Sequence, residues 1–184
     1  MPNREDYQLR TMTETDLEMV LNWRNSERVR ANMYTDHIIV LEEHQDWYER
    51  AKDDPSCQYL ICEFKDQAIG LVYFTNIDNK NNRCYWGFYL GETQTGLGAG
   101  IAMEFLALEY SFEGIKIRKL CCEVLTLNAK VIKLHKKFQF KEEGIFKAHI
   151  YKNEQYQDVI CLALFREDWL ERKNDLSKLV FRGK

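Results

Sequence analysis

Apolar and polar positions along the chain fall into runs with two different periods. Residues 7–12 alternate weakly and predict a first strand. Thr13 or Thr15 then caps a helix with Leu17, Val20 and Leu21 among its apolar positions, and Ser26 caps a short second helix running through residue 33. Residues 41–52 predict a third helix, with Glu42, Glu43, Asp46 and Glu49 outward and Trp47 inward. Residues 59–64 and 68–75, separated by Lys65-Asp66-Gln67, predict an antiparallel hairpin. A polar cluster at 76–82 leads into a strand over 83–90. In a helix over 101–112, Ile101, Phe105, Leu108 and Phe112 share a face, with Ala102 and Leu106 beside them. A strand at 119–125 follows, then a helix beginning at Asn128 whose Val131, Leu134, His135 and Phe138 share a face. Strands over about 145–151 and 156–165 come next, punctuated by Glu143-Gly144 and Asn153-Glu154, and the tail from Arg166 is helical and then charged.

The resulting order, β-α-α-α-β-β-β-α-β-α-β-β, is mostly meander with one β-α-β crossover around residues 101–112. It predicts an α/β fold: a mixed, mostly antiparallel sheet of about seven strands with helices on both faces, not a doubly wound dinucleotide fold. With 184 residues, no repeats and only Pro2 and Pro55, the chain is expected to form one domain over 1–184. Its 45% hydrophobic and 13% aromatic content predicts a packed core. A net charge of −3 gives no overall pull toward nucleic acid or anionic membrane. No apolar run approaches ~20 residues and the first residues lack a signal peptide's apolar stretch, so a cytoplasmic location is expected. The six cysteines show no Cys-x-x-Cys spacing, which favours buried reduced thiols and no metal site.

Chemistry concentrates at Thr95-Gly96-Leu97-Gly98-Ala99-Gly100, between the aromatic strand and the helix over 101–112. Three glycines in five positions strip side chains from a turn entering a helix, where backbone N–H groups and the positive end of the helix dipole can meet an anion. The dinucleotide fingerprint fails by spacing, because Ile101 stands where its third glycine belongs. A Walker loop fails for want of Gly-Lys-Ser/Thr. A tight turn with no ligand remains the bland alternative.

Two motifs together carry a family resemblance. Gly98 and Gly100 fit the end of a Gln/Arg-x-x-Gly-x-Gly/Ala loop, with Gly96 inside it and Thr95 where Gln or Arg is usual. Asn128-Ala129-Lys130-Val131-Ile132-Lys133-Leu134-His135, ending in Phe138-Gln139-Phe140, fits an Asn-x-x-Ala-x-x-Leu-Tyr-x-x-x-Gly-Phe segment. The chain thus resembles GNAT superfamily N-acetyltransferases over nearly its whole length, which implies the GNAT (acyl-CoA N-acyltransferase) fold and acetyl-CoA as cosubstrate. Within that superfamily, Asn22-Trp23-Arg24-Asn25, Met33, the segment from Asp36 to His44, the segment from Gly70 to Asp78, and Gly87-Phe88-Tyr89 resemble the sugar-nucleotide N-acetyltransferases of pseudaminic acid biosynthesis. That likeness implies the 4-amino group of UDP-4-amino-4,6-dideoxy-N-acetyl-β-L-altrosamine as acceptor, attacked directly in a ternary complex, on the way to a flagellin or surface glycan.

The resemblance also distributes roles. Phe88, Tyr89, Thr95, Gly96, Leu97, Gly98, Ala99, Gly100, Asn128 and Lys137 are expected around coenzyme A, although Asn128 serves equally as a helix N-cap. Glu123, an acid in an apolar strand, is the expected base, directly or through water, or else a solvent-facing strand residue. His135 replaces the family's usual Tyr and either protonates the leaving thiolate or is a hydrogen-bonded core histidine. Cys121 and Cys122 lack an evident base in sequence and are not expected as nucleophiles. For the acceptor, Arg24 and Arg30 suit a pyrophosphate, Trp23 or Met33 a uracil, and His44, Thr75, Tyr85 and Tyr89 the sugar-nucleotide site. No nucleic acid or membrane partner is expected, and a homodimer is compatible with the sequence. Two other functions remain open: acetylation of a protein N-terminus, and a non-catalytic acyl-CoA-binding module.

Overall fold

A computed structural model describes residues 2–181. Seven strands form one sheet: β1 (Tyr7–Thr11), β2 (Gln58–Phe64), β3 (Gln67–Asp78), β4 (Arg83–Leu90), β5 (Lys119–Leu125), β6 (Lys141–Lys152) and β7 (Gln155–Phe165). Their spatial order is β1-β2-β3-β4-β5-β7-β6, and every neighbouring pair is antiparallel except β4–β5. The β2–β3 hairpin closes through Lys65 and Asp66 at φ 51° and 61°, the left-handed pair that matches the twist of a two-residue turn.

Helices α1 (Leu17–Asn25), α2 (Glu27–Arg30) and α3 (Leu41–Ala51) lie between β1 and β2 in the chain, while α4 (Ala99–Glu109) makes the crossover to β5. Helix α5 (Ala129–Lys137) links β5 to β6, and α6 (Arg166–Val180) closes the described chain. Strand alternation divides the interior into two cores. Leu60, Cys62, Val72, Phe74, Cys84, Leu120 and Cys122 pack with α4, α5 and α6 on one face. Ile61 and Leu71 pack with Leu17, Val20 and Trp23 of α1 on the other.

The sequence-based elements hold with local differences. Helix α2 stops at Arg30 instead of running through residue 33, because residues 31–40 take a turn-rich and extended path across the sheet. Strand β6 begins at Lys141, four residues early, with irregular register between Glu142 and Gly144. Helix α4 is not one-sided: residues 102–108 are all buried, Glu104 included, because the sheet covers one side and α6 the other. Ile101, expected on the buried face, lies in the first turn and is 37% exposed. Among the described residues no helix is long and apolar enough to cross a membrane.

One irregularity makes room for a ligand. Parallel pairing of β4 with β5 is confined to Arg83 with Lys119, Cys84 with Leu120 and Tyr85 with Cys121. Beyond these, β4 continues to Leu90 against β3, and β5 to Leu125 against β7, without pairing each other. The sheet therefore opens into a wedge at its middle, with unpaired backbone N–H and C=O groups along both walls.

Candidate functional site

The wedge is a cleft of about 520 Å³. Trp86 to Leu90 of β4 form one wall, Cys122, Glu123 and Val124 of β5 the other, and Asn128, Lys130, Val131, Leu134 and His135 of α5 contribute from the side. Gly100 brings the start of α4 to its edge. Gly98 caps α4 at φ 90°, a left-handed conformation that a side chain disfavours, and its carbonyl accepts from Ala102 N at 2.9 Å. A Cβ on Gly100 would stand 3.6 Å from Leu90 Cδ1, narrowing the path between turn and strand. The first N–H groups of α4 have no acceptor within the helix and mark a place for a phosphate. A bare helix start at one end and unpaired strand edges along the walls fit a long ligand with a phosphate portion and an amide-bearing arm, which coenzyme A is.

The expected cofactor residues occupy different places around this cleft. Phe88, Tyr89, Gly100 and Asn128 line it. Thr95, Gly96 and Ala99 shape the turn, while Leu97 is 99% exposed. Asn128 spends its side-chain oxygen as the α5 N-cap, accepting from Val131 N at 3.4 Å. Lys137 sits exposed at the far end of α5 and does not line the cleft, whereas Lys130 does.

His135 is 3% exposed, and its Nδ1 lies 2.8 Å from Oε1 of Glu104, which is fully buried. Trp86, Phe88 and Phe140 surround the imidazole. Burial, the largest influence, pushes the imidazole's pKa down, but the Glu104 carboxylate and the Cys122 thiol together outweigh it and raise it to about 10. Burial in turn raises Glu104 above the usual carboxylate range. The pair therefore keeps a proton through neutral pH.

Glu123 faces the other side of β5, where Tyr34 Oη donates to Oε2 at 2.7 Å. Burial first, then this carboxylate, raise the Tyr34 pKa, so the phenol stays a donor. Tyr34, Glu123, Thr75 and Tyr85 share a recess with Arg24 and Met33.

A second cavity, about 350 Å³, lies between α1, α3 and the sheet and is walled by Arg24, Met33, His44, Trp47, Tyr73, Thr75 and Tyr89. Met33, Tyr73 and Tyr89 also line the wedge, so the two spaces adjoin. Arg24 donates through Nη2 to Thr35 O and Oγ1 at 3.2 and 2.7 Å, while its buried Nη1 has no partner among the described residues. His44 stacks on Trp47 at 4.9 Å between ring centroids, with its buried Nε2 lacking a partner among the described residues. Burial lowers the pKa of both Arg24 and His44.

Two expected acceptor residues lie elsewhere. Trp23 lines neither space: it is 5% exposed in the α1 core, donates through Nε1 to Glu92 at 2.8 Å and fills the place beneath Gly91. Arg30 lines neither space either: it donates from Nη1 to Asp36 O at 2.6 Å, and its buried Nε has no partner among the described residues.

Sequence reasoning missed Tyr34, Glu104 and Lys152. Lys152 is 3% exposed at the end of β6, yet it donates to Arg30 O and Met33 O at 2.8 and 2.6 Å. Arg24 and Arg30 are close enough to help burial lower its pKa. Nothing in the local Tyr151-Lys152-Asn153-Glu154 sequence marks Lys152 as buried or points to its partners.

Comparison with known proteins follows the same geometry. The acetyltransferase (GNAT) domain family matches residues 7–141. Spermidine N(1)-acetyltransferase of Escherichia coli is 25% identical over 170 residues, 92% of this chain and 91% of that one. Acetyltransferase PseH of Campylobacter jejuni is 29% identical over 129 residues, 70% of this chain and 79% of that one. Among solved structures, spermidine N-acetyltransferase from Vibrio cholerae in complex with CoA and spermine superposes with a TM-score of 0.85 at 22% identity, over 90% of this chain and 99% of that one. The match from 7 to 141 takes in the glycine turn, both walls of the wedge and all of α5, and the chain belongs to the GNAT acetyltransferases, enzymes that transfer acetyl from acetyl-CoA to an amine.

Proposed function

We propose that this enzyme acetylates the amino group of a nucleotide-linked amino sugar, the 4-amino group of UDP-4-amino-4,6-dideoxy-N-acetyl-β-L-altrosamine in pseudaminic acid biosynthesis. The observation that carries this reading is the buried Arg24 Nη1, without a partner among the described residues, in the wall of an aromatic cavity, with the Arg30 guanidinium near enough to Arg24 to repel it. Unmet cationic donors suit an anionic acceptor such as a diphosphate. Tyr73, Tyr89, Trp47 and His44 suit a flat base and a sugar. A polyamine would place its own cations against Arg24 and Arg50, with Glu43 as the cavity's carboxylate and Glu123 at the inner end. The resemblance of the segments around Trp23, His44 and Thr75 to the pseudaminic-acid enzymes supports the same choice.

In this reading the amine enters beside Tyr34 and Glu123. Glu123 takes its proton directly or through water, and unpaired β4 backbone polarises the thioester carbonyl. His135, kept protonated by Glu104, faces the leaving thiolate. The acetyl-CoA thioester supplies the acyl group, and one domain carries both sites.

The deciding experiment is a set of parallel thiol-release assays with acetyl-CoA and one acceptor each: the UDP-4-amino sugar, spermidine, or a peptide with a free N-terminus. The sugar nucleotide is expected to give kcat/KM at least about a hundredfold above the others, a difference of about 2.7 kcal/mol. Preference for spermidine would overturn the reading in favour of the polyamine acetyltransferases that the comparison also brings up.

A further inference from the structure

Three spaces meet at the middle of the sheet: the wedge, the aromatic cavity, and the recess that holds Tyr34 and Glu123. Among the described residues Met33 and Tyr73 line all three, and of the two only Tyr73 carries a hydroxyl. Tyr73 lies on β3 directly opposite Gly87 of β4. Gly87 stands two residues past Tyr85, the last β4 residue paired with β5, so it belongs to the wall where the sheet opens. A Cβ on Gly87 would lie 2.3 Å from Tyr73 Oη and 2.5 Å from Cζ, far inside contact distance. The backbone of Gly87 is not left-handed, so its bare Cα serves the room that the phenol occupies. Tyr59 stacks on the Tyr73 ring at 6.3 Å between centroids and steadies it. Tyr73 Oη makes no hydrogen bond to another described residue. Burial raises its pKa, so the phenol keeps its proton and is a donor without an acceptor.

We propose that Tyr73 is a further catalytic residue, whose hydroxyl, seated over Gly87, donates a hydrogen bond to the thioester carbonyl oxygen of acetyl-CoA as the amine attacks. Unpaired β4 backbone supplies one donor to that oxygen, and Tyr73 supplies a second from the neighbouring strand. Attack by the amine moves the carbonyl π pair onto oxygen, and the phenol answers that charge without giving up its own proton. As the C–S bond to coenzyme A breaks, the pair returns to the carbonyl and the hydrogen bond weakens. The interaction is therefore strongest in the transition state, which places its effect in kcat. Tyr34 and Glu123 share the recess with Tyr73 and are left for the proton of the amine. Gly87 is the condition for this arrangement, because any side chain there would drive the hydroxyl off the wall. The inference rests on acetyl-CoA in the wedge and on Glu123 as the base, and not on which amine attacks.

The test compares the whole protein with Tyr73→Phe, which keeps the ring and removes an oxygen that holds nothing in the fold. Its urea midpoint is expected to match that of the unaltered protein. With whichever of the three acceptors above is turned over fastest, kcat should fall about a hundredfold while the KM for acetyl-CoA stays within twofold. Gly87→Ala should lower kcat as well, and should add little in the Tyr73→Phe background, where the hydroxyl it displaces is already gone. A second readout needs no acceptor, so it survives failure of the sugar-nucleotide assignment. Difference infrared spectra of bound acetyl-CoA, labelled with carbon-13 at the acetyl carbonyl, report the strength of hydrogen bonding to that oxygen. The carbonyl band is expected at higher wavenumber in Tyr73→Phe than in the unaltered protein. An unchanged kcat, a carbonyl band at the same place in both proteins, or a fall in the urea midpoint with a matching rise in the KM for acetyl-CoA would each overturn the proposal.

Discussion

Glu104 and His135 sit 31 residues apart and form a buried acid–base pair, so removing one leaves the other's charge without a partner. Glu104→Ala is expected to cost about 3–5 kcal/mol in stability, read from urea unfolding. The pair also fixes a pH dependence. Because the His135 pKa is raised to about 10 in the folded protein, its contribution is complete below the ordinary histidine value of about 6.5 and is lost as pH rises through about 10. Glu104, also raised, acts in the same direction. In Glu104→Gln the carboxylate is gone and burial, the largest influence on this imidazole, pushes its pKa down, so stability is lost on the acid side. Melting temperatures measured across this range should decline toward alkaline pH for the unaltered protein and toward acid pH for the variant. Equal profiles would show that the carboxylate does not hold the proton. His135 was legible as a candidate because it stands at the Tyr position of the segment from Asn128 to Phe140, while its apolar helix face pointed equally to a hydrogen-bonded core histidine. Its partner was not, because Glu104 falls within an apolar helix whose second covering layer, α6, no local pattern announces. Tyr34 was hidden for a similar reason, since it meets Glu123 across 89 residues. Tyr34→Phe is expected to lower kcat/KM for the acceptor about tenfold, the equivalent of ~1.4 kcal/mol, without changing the KM for acetyl-CoA.

At the scale of elements, the strands and their order were readable because period-two alternation and turn residues are local signals. The wedge was legible only through the family resemblance and not from the residues themselves, since each of β4 and β5 reads as an unbroken strand and only pairing reveals that they part after Tyr85 and Cys121. The glycine turn was readable, and its structure refines the role of each glycine. Gly98 alone needs a left-handed backbone, and Gly100 alone lines the cleft. Gly98→Ala should therefore cost about 1 kcal/mol in stability through backbone strain. It should also raise the KM for acetyl-CoA severalfold, because the strain is relieved by moving the start of α4. Gly96→Ala, with nothing nearer than 3.9 Å, should do neither. Thermal melts and acetyl-CoA titrations of the two variants side by side check both parts. Helix α6 makes a comparable case away from the site. Trp169 is fully buried against Phe105 and Phe112, and Trp169→Ala is expected to cost about 3–5 kcal/mol.

Over the whole molecule, an overall charge of −3 conceals a local excess of cations where Arg24, Arg30 and Lys152 converge from α1, α2 and β6. Bringing buried Lys152 together with half-buried Arg24 and Arg30 opposes folding unless carbonyls and an anion answer them, and Asp36 is the carboxylate near Lys152. Lys152 is answered by the carbonyls of Arg30 and Met33, and so it fastens the β6–β7 hairpin to the segment that carries Met33 and Tyr34. That segment walls the side proposed for the acceptor, and Met33 lines both the cavity and the wedge. The glycine turn and α5 stand on other elements and make no hydrogen bond to Lys152. Lys152→Met preserves the length and apolar stem while removing the donors. It is expected to raise the acceptor KM about tenfold and leave the dissociation constant of acetyl-CoA unchanged, which isothermal titration and initial-rate kinetics measure separately. If both constants rise together, Lys152 supports the fold as a whole. If only the acceptor constant moves, the hairpin at the sheet's far edge is part of how this enzyme shapes its acceptor site.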